Sequence, residues 1–177
     1  MRIVNAAALL IIVLGFVTAI YFYPQLPDKI ASHWGIAGEA NGYMDKFVVL
    51  FLMPVISILL YLLFMVIPRI DPKRNNIKKF WGYYEGLLLL LMGFLFYLHM
   101  LVIAWNLDFI FSMPQMLAPA FGLMFVFLGM LISKAKRNYS VGIRTPWTLA
   151  SEATWNKTHN AGGKWFMISG LIALLGV

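Results

Sequence analysis

Four stretches of this chain are long, apolar and almost free of charge, and that constrains its fold more than any motif does. Crossing the ~30 Å hydrocarbon layer takes roughly 20 apolar helical residues at about 1.5 Å each. Residues 3–23 and 47–67 contain no charged side chain, residues 83–104 contain only Glu85 and His99 as Glu or His, and residues 116–133 are uncharged. A fifth apolar run, 165–177, would cover only ~20 Å and end inside the bilayer. It predicts that the natural protein continues further. Charged residues make up 12% of the chain, against about 25% in a soluble domain. Mean hydropathy is +0.80. A disordered chain, a nucleic-acid-binding module and an ordinary cytosolic enzyme are excluded on that composition, and direct nucleic-acid binding with them. The expected fold is an all-α integral membrane protein: a polytopic bundle of four full transmembrane helices plus the start of a fifth, with an ordered extracellular loop between the first two. The expected division is an amino-terminal membrane domain, 1–133, and a carboxy-terminal segment, 134–177. With no cysteine, disulfides and thiolate chemistry are out.

The first span is too long for a signal-peptide core, and no small-residue cleavage site follows it. It reads as a retained helix ending in an aromatic belt at Tyr21, Phe22 and Tyr23. Lysine and arginine fix the orientation. Arg2, five cations between Arg69 and Lys79 and six between Lys134 and Lys164 lie on one side, against Lys29 and Lys46 on the other. Twelve against two places the N-terminus and both basic loops in the cytoplasm of a plasma membrane. The long outer loop, 24–46, carries Gly35, Gly38, Gly42 and an Asn41-Gly42 turn signal, which predicts tight turns in a small ordered cap. No internal repeat is visible, which argues against duplicated transporter folds. Pro54 should kink the second span, and Pro119 should sit in the first turn of the fourth.

Few residues carry chemistry. Glu85 and His99 are the intramembrane polar candidates, because an ionisable group in a span is costly unless it serves a function or finds a partner. They are 14 positions apart, ~21 Å along one helix, so they cannot pair. Glu85 reads as a headgroup-depth partner of the nearby lysines and His99 as an interhelical packing residue. His33 and His99 lack the company of ligands a zinc site assembles, so no metal or cofactor is expected. No nucleophile motif is present, so no catalytic residue is assigned. In the outer loop His33, Trp34 and Glu39 are the expected ligand-binding side chains. In the inner loop Thr145-Pro146 has the form of a helix cap followed by proline, and Ser151 is a second cap with Glu152 behind it. Trp155, His159, Gly162 and Phe166 then form one helical stripe. Arg144, Trp155 and His159 are the expected docking residues for a cytoplasmic partner. The competing account is a juxtamembrane helix with its tryptophans at headgroup level and its basic loops on anionic lipid.

The run Asn138-Tyr139-Ser140-Val141-Gly142-Ile143-Arg144-Thr145-Pro146-Trp147-Thr148-Leu149, with Ser151, Trp155, Thr158-His159 and Gly163 behind it, resembles the SdpI-type immunity family. Tyr23-Pro24, Leu26-Pro27-Asp28-Lys29-Ile30, His33-Trp34, Gly38-Glu39 and Asn41-Gly42-Tyr43 resemble the amino-terminal domain often fused to it. The resemblance implies a bacterial membrane protein that protects its cell from a secreted sporulation-delaying peptide toxin. It also implies, after the name-giving member, a receptor that holds a cytoplasmic transcriptional repressor at the membrane. The alternative is a transporter or permeation protein for a small solute or lipid-like molecule, using His99 and Glu85 along a path.

The charge asymmetry predicts the topology directly. Single cysteines introduced into the cysteine-free chain at positions 39 and 144 should react with an impermeant thiol reagent in intact cells at 39 only. Labelling at 144 but not 39 would invert the topology.

Overall fold

The structure, a computed structural model, describes residues 2–175, and the apolar stretches are helical in it. Helix α1 spans Arg2–Phe22 and runs into a short 3₁₀ turn, Tyr23–Gln25. Strands β1 (Lys29–Trp34) and β2 (Ala40–Asp45) follow, then α2 (Lys46–Ile70), α3 (Arg74–Lys78), α4 (Trp81–Asn106), α5 (Met113–Lys134), α6 (Pro146–Ala150) and α7 (Glu152–Leu175). Among the described residues four helices are long and apolar enough to cross a membrane: α1 with its following turn, α2, α4 and α5. The polytopic helical architecture read from the sequence is therefore the observed one. Helix α7 is polar at its start and apolar at its end, and the last two residues of the fifth apolar run lie outside the described residues.

Two local expectations change. Helix α5 starts at Met113, so Pro114 occupies the opening turn and Pro119 lies inside the helix, where its ring nitrogen donates no hydrogen bond. The loop 24–46 holds more than tight turns: it contains an antiparallel hairpin. Irregular register hid it. Ile30 faces Met44 and Ala31 faces Tyr43, but pairing shifts on both sides of His33, so no clean two-residue alternation survives in the sequence.

The chain forms two compact units. The first comprises the residues up to Tyr61 together with Leu89–Leu117. Its core is Ala19, Leu26, Ile30, Val49, Leu50, Val102 and Ile103, so the hairpin contributes Ile30 to the same cluster as α1, α2 and α4. A two-stranded hairpin alone is marginal in water. Here Asn106, the last residue of α4, stands in for a third strand. Its Oδ1 accepts the Ala31 N–H (2.8 Å) and its Nδ2 donates to the Ala31 carbonyl (3.1 Å) and to the Val102 carbonyl (2.9 Å). At the other end Lys46 Nζ donates to the Leu26 carbonyl (3.0 Å), pairs with Asp28 (3.2 Å) and lies over the Tyr23 ring. Asp45 caps α2 by accepting the Phe47 N–H (2.8 Å). The turn closes through Gly35 N–H to Glu39 (2.8 Å) and Gly38 N–H to Gly35 (3.0 Å), with Gly38 at φ +91°.

The second unit comprises Leu62–Leu88 and the residues from Ala118 onward. Helices α5 and α7 meet backbone to backbone at two points. A Cβ on Gly170 would lie 2.6 Å from the Gly122 carbonyl, and one on Gly163 would lie 2.7 Å from the Gly129 carbonyl. Both pairs repeat after seven residues, two helical turns, so the two approaches lie on one seam. Tyr84, buried, donates its hydroxyl to the Phe64 carbonyl (2.9 Å).

Replacing Asn106 by alanine leaves both polar groups of Ala31 without a partner, so the hairpin should be destabilised by about 1–3 kcal/mol. Hydrogen exchange at the Ala31 amide should quicken while amides inside α2 keep their protection. Unchanged exchange at Ala31 would show that packing of Ile30 alone holds the strand.

Candidate functional site

Apart from α6, the segment between α5 and α7 is irregular backbone, and polar side chains hold it. Asn138, fully buried, uses its whole amide: Nδ2 donates to Lys136 (2.8 Å) and Val141 (2.9 Å), and Oδ1 accepts from the N–H groups of Ser140 (2.8 Å) and Val141 (2.6 Å). Asp71, 4% exposed, binds across to this segment from the first basic loop. It accepts the Tyr139 N–H (2.9 Å), the Ser140 hydroxyl (2.5 Å) and the Lys73 N–H (2.6 Å). Asn76 adds a bond to the Arg137 carbonyl (2.7 Å), and Arg137 in turn donates to the Ala150 carbonyl at the end of α6 (3.1 Å).

Thr145 caps α6 as its Thr-Pro signal predicts. Its hydroxyl accepts the Thr148 N–H (3.3 Å), while the buried Thr148 hydroxyl accepts the Thr145 N–H (2.8 Å) and donates to the Ile143 carbonyl (2.9 Å). Ser151 caps α7 through the Thr154 N–H (3.3 Å).

Trp155 and His159 require a correction. The helical stripe is real, but it faces inward: Trp155 is 0% and His159 1% exposed. Trp155 donates its indole N–H to the Ala135 carbonyl (2.9 Å), and the two rings stack 3.8 Å apart at 15°. The His159 Nε2 accepts the Ile143 N–H (3.0 Å), so the proton sits on Nδ1, which donates to the Trp155 carbonyl (2.8 Å). A Cβ on Gly142 (φ +126°) would strike the His159 ring nitrogen and come within 3.0 Å of the indole. The Gly-Ile-Arg-Thr-Pro-Trp run is therefore the strap that closes over a Trp-His pair. Neither ring offers itself to a partner. Arg144, by contrast, is exposed, spends one nitrogen on the Tyr139 carbonyl (2.6 Å), and stands near exposed Tyr139 and Trp147.

In the first unit, His33 is exposed and bonded to Asn41 (2.5 Å), and Glu39 is exposed with its carboxylate folded over Gly35. Trp34 is half-buried and packs edge-on against Trp105 (5.6 Å), so it serves the core as much as the surface. His99 is 2% exposed and bonded to the Thr18 hydroxyl (3.1 Å), which itself donates to the Leu14 carbonyl (2.8 Å). Beside it lies a cavity of about 10 Å³ lined by Gly15, Pro54, Ser57 and apolar side chains, room for about one water. That volume is too small for a solute larger than water. Glu85 lies in the second unit, one turn into α4. Among the described residues no three His, Asp or Glu side chains gather as a metal would require.

Asp71, Asn76 and Asn106 have no role in the sequence reading, and Asn138 enters it only as the first residue of the signature run. The signals were present but weak: an Asp-Pro turn inside a basic loop, and an asparagine where an apolar helix ends.

Burial pushes His159 below the ordinary imidazole range, opposed in part by its bond to the Trp155 carbonyl. The unfolded chain therefore takes up a proton below pH about 6.5 that the folded loop refuses. Loop stability should be full above that pH and fall as pH drops toward the folded value. His159→Gln should remove the dependence. Proteolysis of the 134–145 segment against pH checks this, and a flat wild-type profile would refute it.

Comparison with known proteins bears on both regions. Residues 134–177 match the SdpI/YfhL protein family, and residues 10–58 match a domain of unknown function, DUF1648. Immunity protein SdpI of Bacillus subtilis (strain 168) is 26% identical over 168 residues, covering 95% of this chain and 78% of that protein. No solved structure matches the chain. The strap over Trp155 and His159 falls in the first match and most of the hairpin-bearing unit in the second, so the similarity to the SdpI/YfhL family and to Immunity protein SdpI bears on both.

Proposed function

We propose that this protein is a multi-pass plasma-membrane immunity protein, N-terminus inside, that meets a secreted peptide toxin on its outer hairpin. The observation that carries the reading is the hairpin itself. It is an ordered, exposed surface, tied to α4 by Asn106 and to the core by Ile30, on the side that the lysine and arginine count assigns to the exterior. A fixed surface binds with less entropy to lose than a mobile loop. His33 and Glu39 face outward from it, and Trp34 supports it from beneath. The strap segment supports a second role on the inner side, the capture of a cytoplasmic repressor through Arg144. Its planar guanidinium keeps donors free for a carboxylate. The surrounding cations, Lys73, Arg74, Lys78, Lys79, Lys134 and Lys136 among them, suit anionic lipid as well.

Expression in a toxin-sensitive strain should raise survival, and Glu39→Ala with His33→Ala should lower it at unchanged protein level. Survival equal to the empty vector would remove the immunity reading. For the inner loop, Arg144→Ala and Arg144→Lys should both lose recruitment of the repressor, because lysine cannot make paired bonds. If lysine restores recruitment, the loop is a membrane-surface anchor.

A further inference from the structure

We propose that the open edge of β2 captures an extended segment of the toxin by strand addition. The inference rests on the immunity reading and specifies how the hairpin would work. The two edges of the hairpin are treated differently. The β1 edge is closed, since both polar groups of Ala31 go to Asn106. That bonding fixes the ladder: Ala31 turns its N–H and carbonyl away from β2, so its register partner Tyr43 turns its own away from β1. By the same alternation Asp45, opposite Lys29, points its N–H outward. The inward positions confirm the phase, because the Lys46 N–H returns to the Asp28 carbonyl at 2.9 Å. Among the described residues nothing takes the outward groups of Tyr43. The strand carrying them is exposed, with Tyr43 59% and Met44 46% accessible.

An unpaired, accessible edge is a template for another chain, and proteins usually blunt such edges with proline, inward charges or a covering element. This one has none of them on β2. Its rim is acidic on balance: Asp28 is 95% exposed at its side chain, and Glu39 and Asp45 are exposed, against one exposed cation, Lys29, while Lys46 is drawn inward to 15%. The geometry thus fits a basic, extended peptide segment, whose main chain would pair with Tyr43 and whose cations would meet the rim. A second copy of this chain fits less well, since two acidic rims would face each other.

The test uses the full chain in lipid nanodiscs and a synthetic sporulation-delaying toxin. Tyr43→Pro deletes the outward N–H without touching the ladder to β1 and should weaken binding about tenfold. Tyr43→Thr keeps the backbone donor and should stay within about threefold. Because proline can disturb the strand, the second arm leaves the protein intact. Toxins N-methylated at alternate amides in two offset sets are compared on wild type, and one set should lose binding while the other retains it. Equal affinity of both sets with the unmodified toxin overturns strand addition yet leaves toxin binding standing. No binding to wild type overturns the immunity reading and this one together. A disulfide dimer through Tyr43→Cys, formed without toxin and blocking protection, would assign the edge to a second copy instead.

Discussion

A backbone amide that leaves a helix must find another partner, and near a membrane the choice of partners is small. Within the spans the helices solve this internally, which is why only uninterrupted helices cross. Between spans the chain solves it with side chains. Asn106 completes β1, Asn138 and Asp71 hold the 138–141 turn, Thr148 and Thr145 close α6, and His159 takes the Ile143 N–H. Each is a short polar group whose capacity matches the irregular backbone it serves. Removing Asn106, Asn138, Asp71, Thr148 or His159 strips two or more main-chain groups of their partner at once, which costs more than the single bond suggests.

This changes how the signature segment is understood. A run as specific as Gly-Ile-Arg-Thr-Pro-Trp invites a reading as a recognition sequence, since lipid contact demands no such order. The structure supplies a different demand. Gly142 needs a positive φ and the absence of a Cβ to pass His159, Ile143 must present its N–H to that ring, and Thr145-Pro146 must start a helix just beyond. Specific sequence here is the requirement of a strap that crosses a stacked Trp-His pair. What the strap leaves outside is above all Arg144, whose guanidinium is exposed.

The legible part of the fold was the part with a period. Four spans, the two helix caps and the existence of a stripe on α7 followed from spacing and composition. What escaped was set by partners far apart in sequence. The Asn106 bond to Ala31 joins positions 75 apart and Asp71 reaches Ser140 across 69, and a single sequence carries no trace of such pairing. The hairpin was hidden by its own bulges. Trp155 and His159 were placed on the right helical face, but periodicity alone does not say whether that face meets solvent or protein. Burial answered that.

The charge balance of the basic loops follows from the same constraint. Asp71 lies among the cations of the first basic loop, yet its carboxylate is spent on main-chain and hydroxyl donors rather than on a cationic side chain. Neutralising the loop would require freeing that carboxylate, and the 138–141 turn would then lose its anchor. The fold therefore keeps its acid buried and its cations exposed: Arg69, Arg74, Lys78, Lys79, Lys134, Lys136 and Arg144 all face outward. Beside an anionic leaflet, an array of that sign is worth about 1 kcal/mol per residue in general. It also draws any acidic partner to the surface without choosing among them, because such attraction is set by sign and distance. Choice requires geometry. Arg144 is held through the Tyr139 carbonyl, on the segment that Asp71 anchors, so this exposed guanidinium is positioned by the acid that leaves the array its charge.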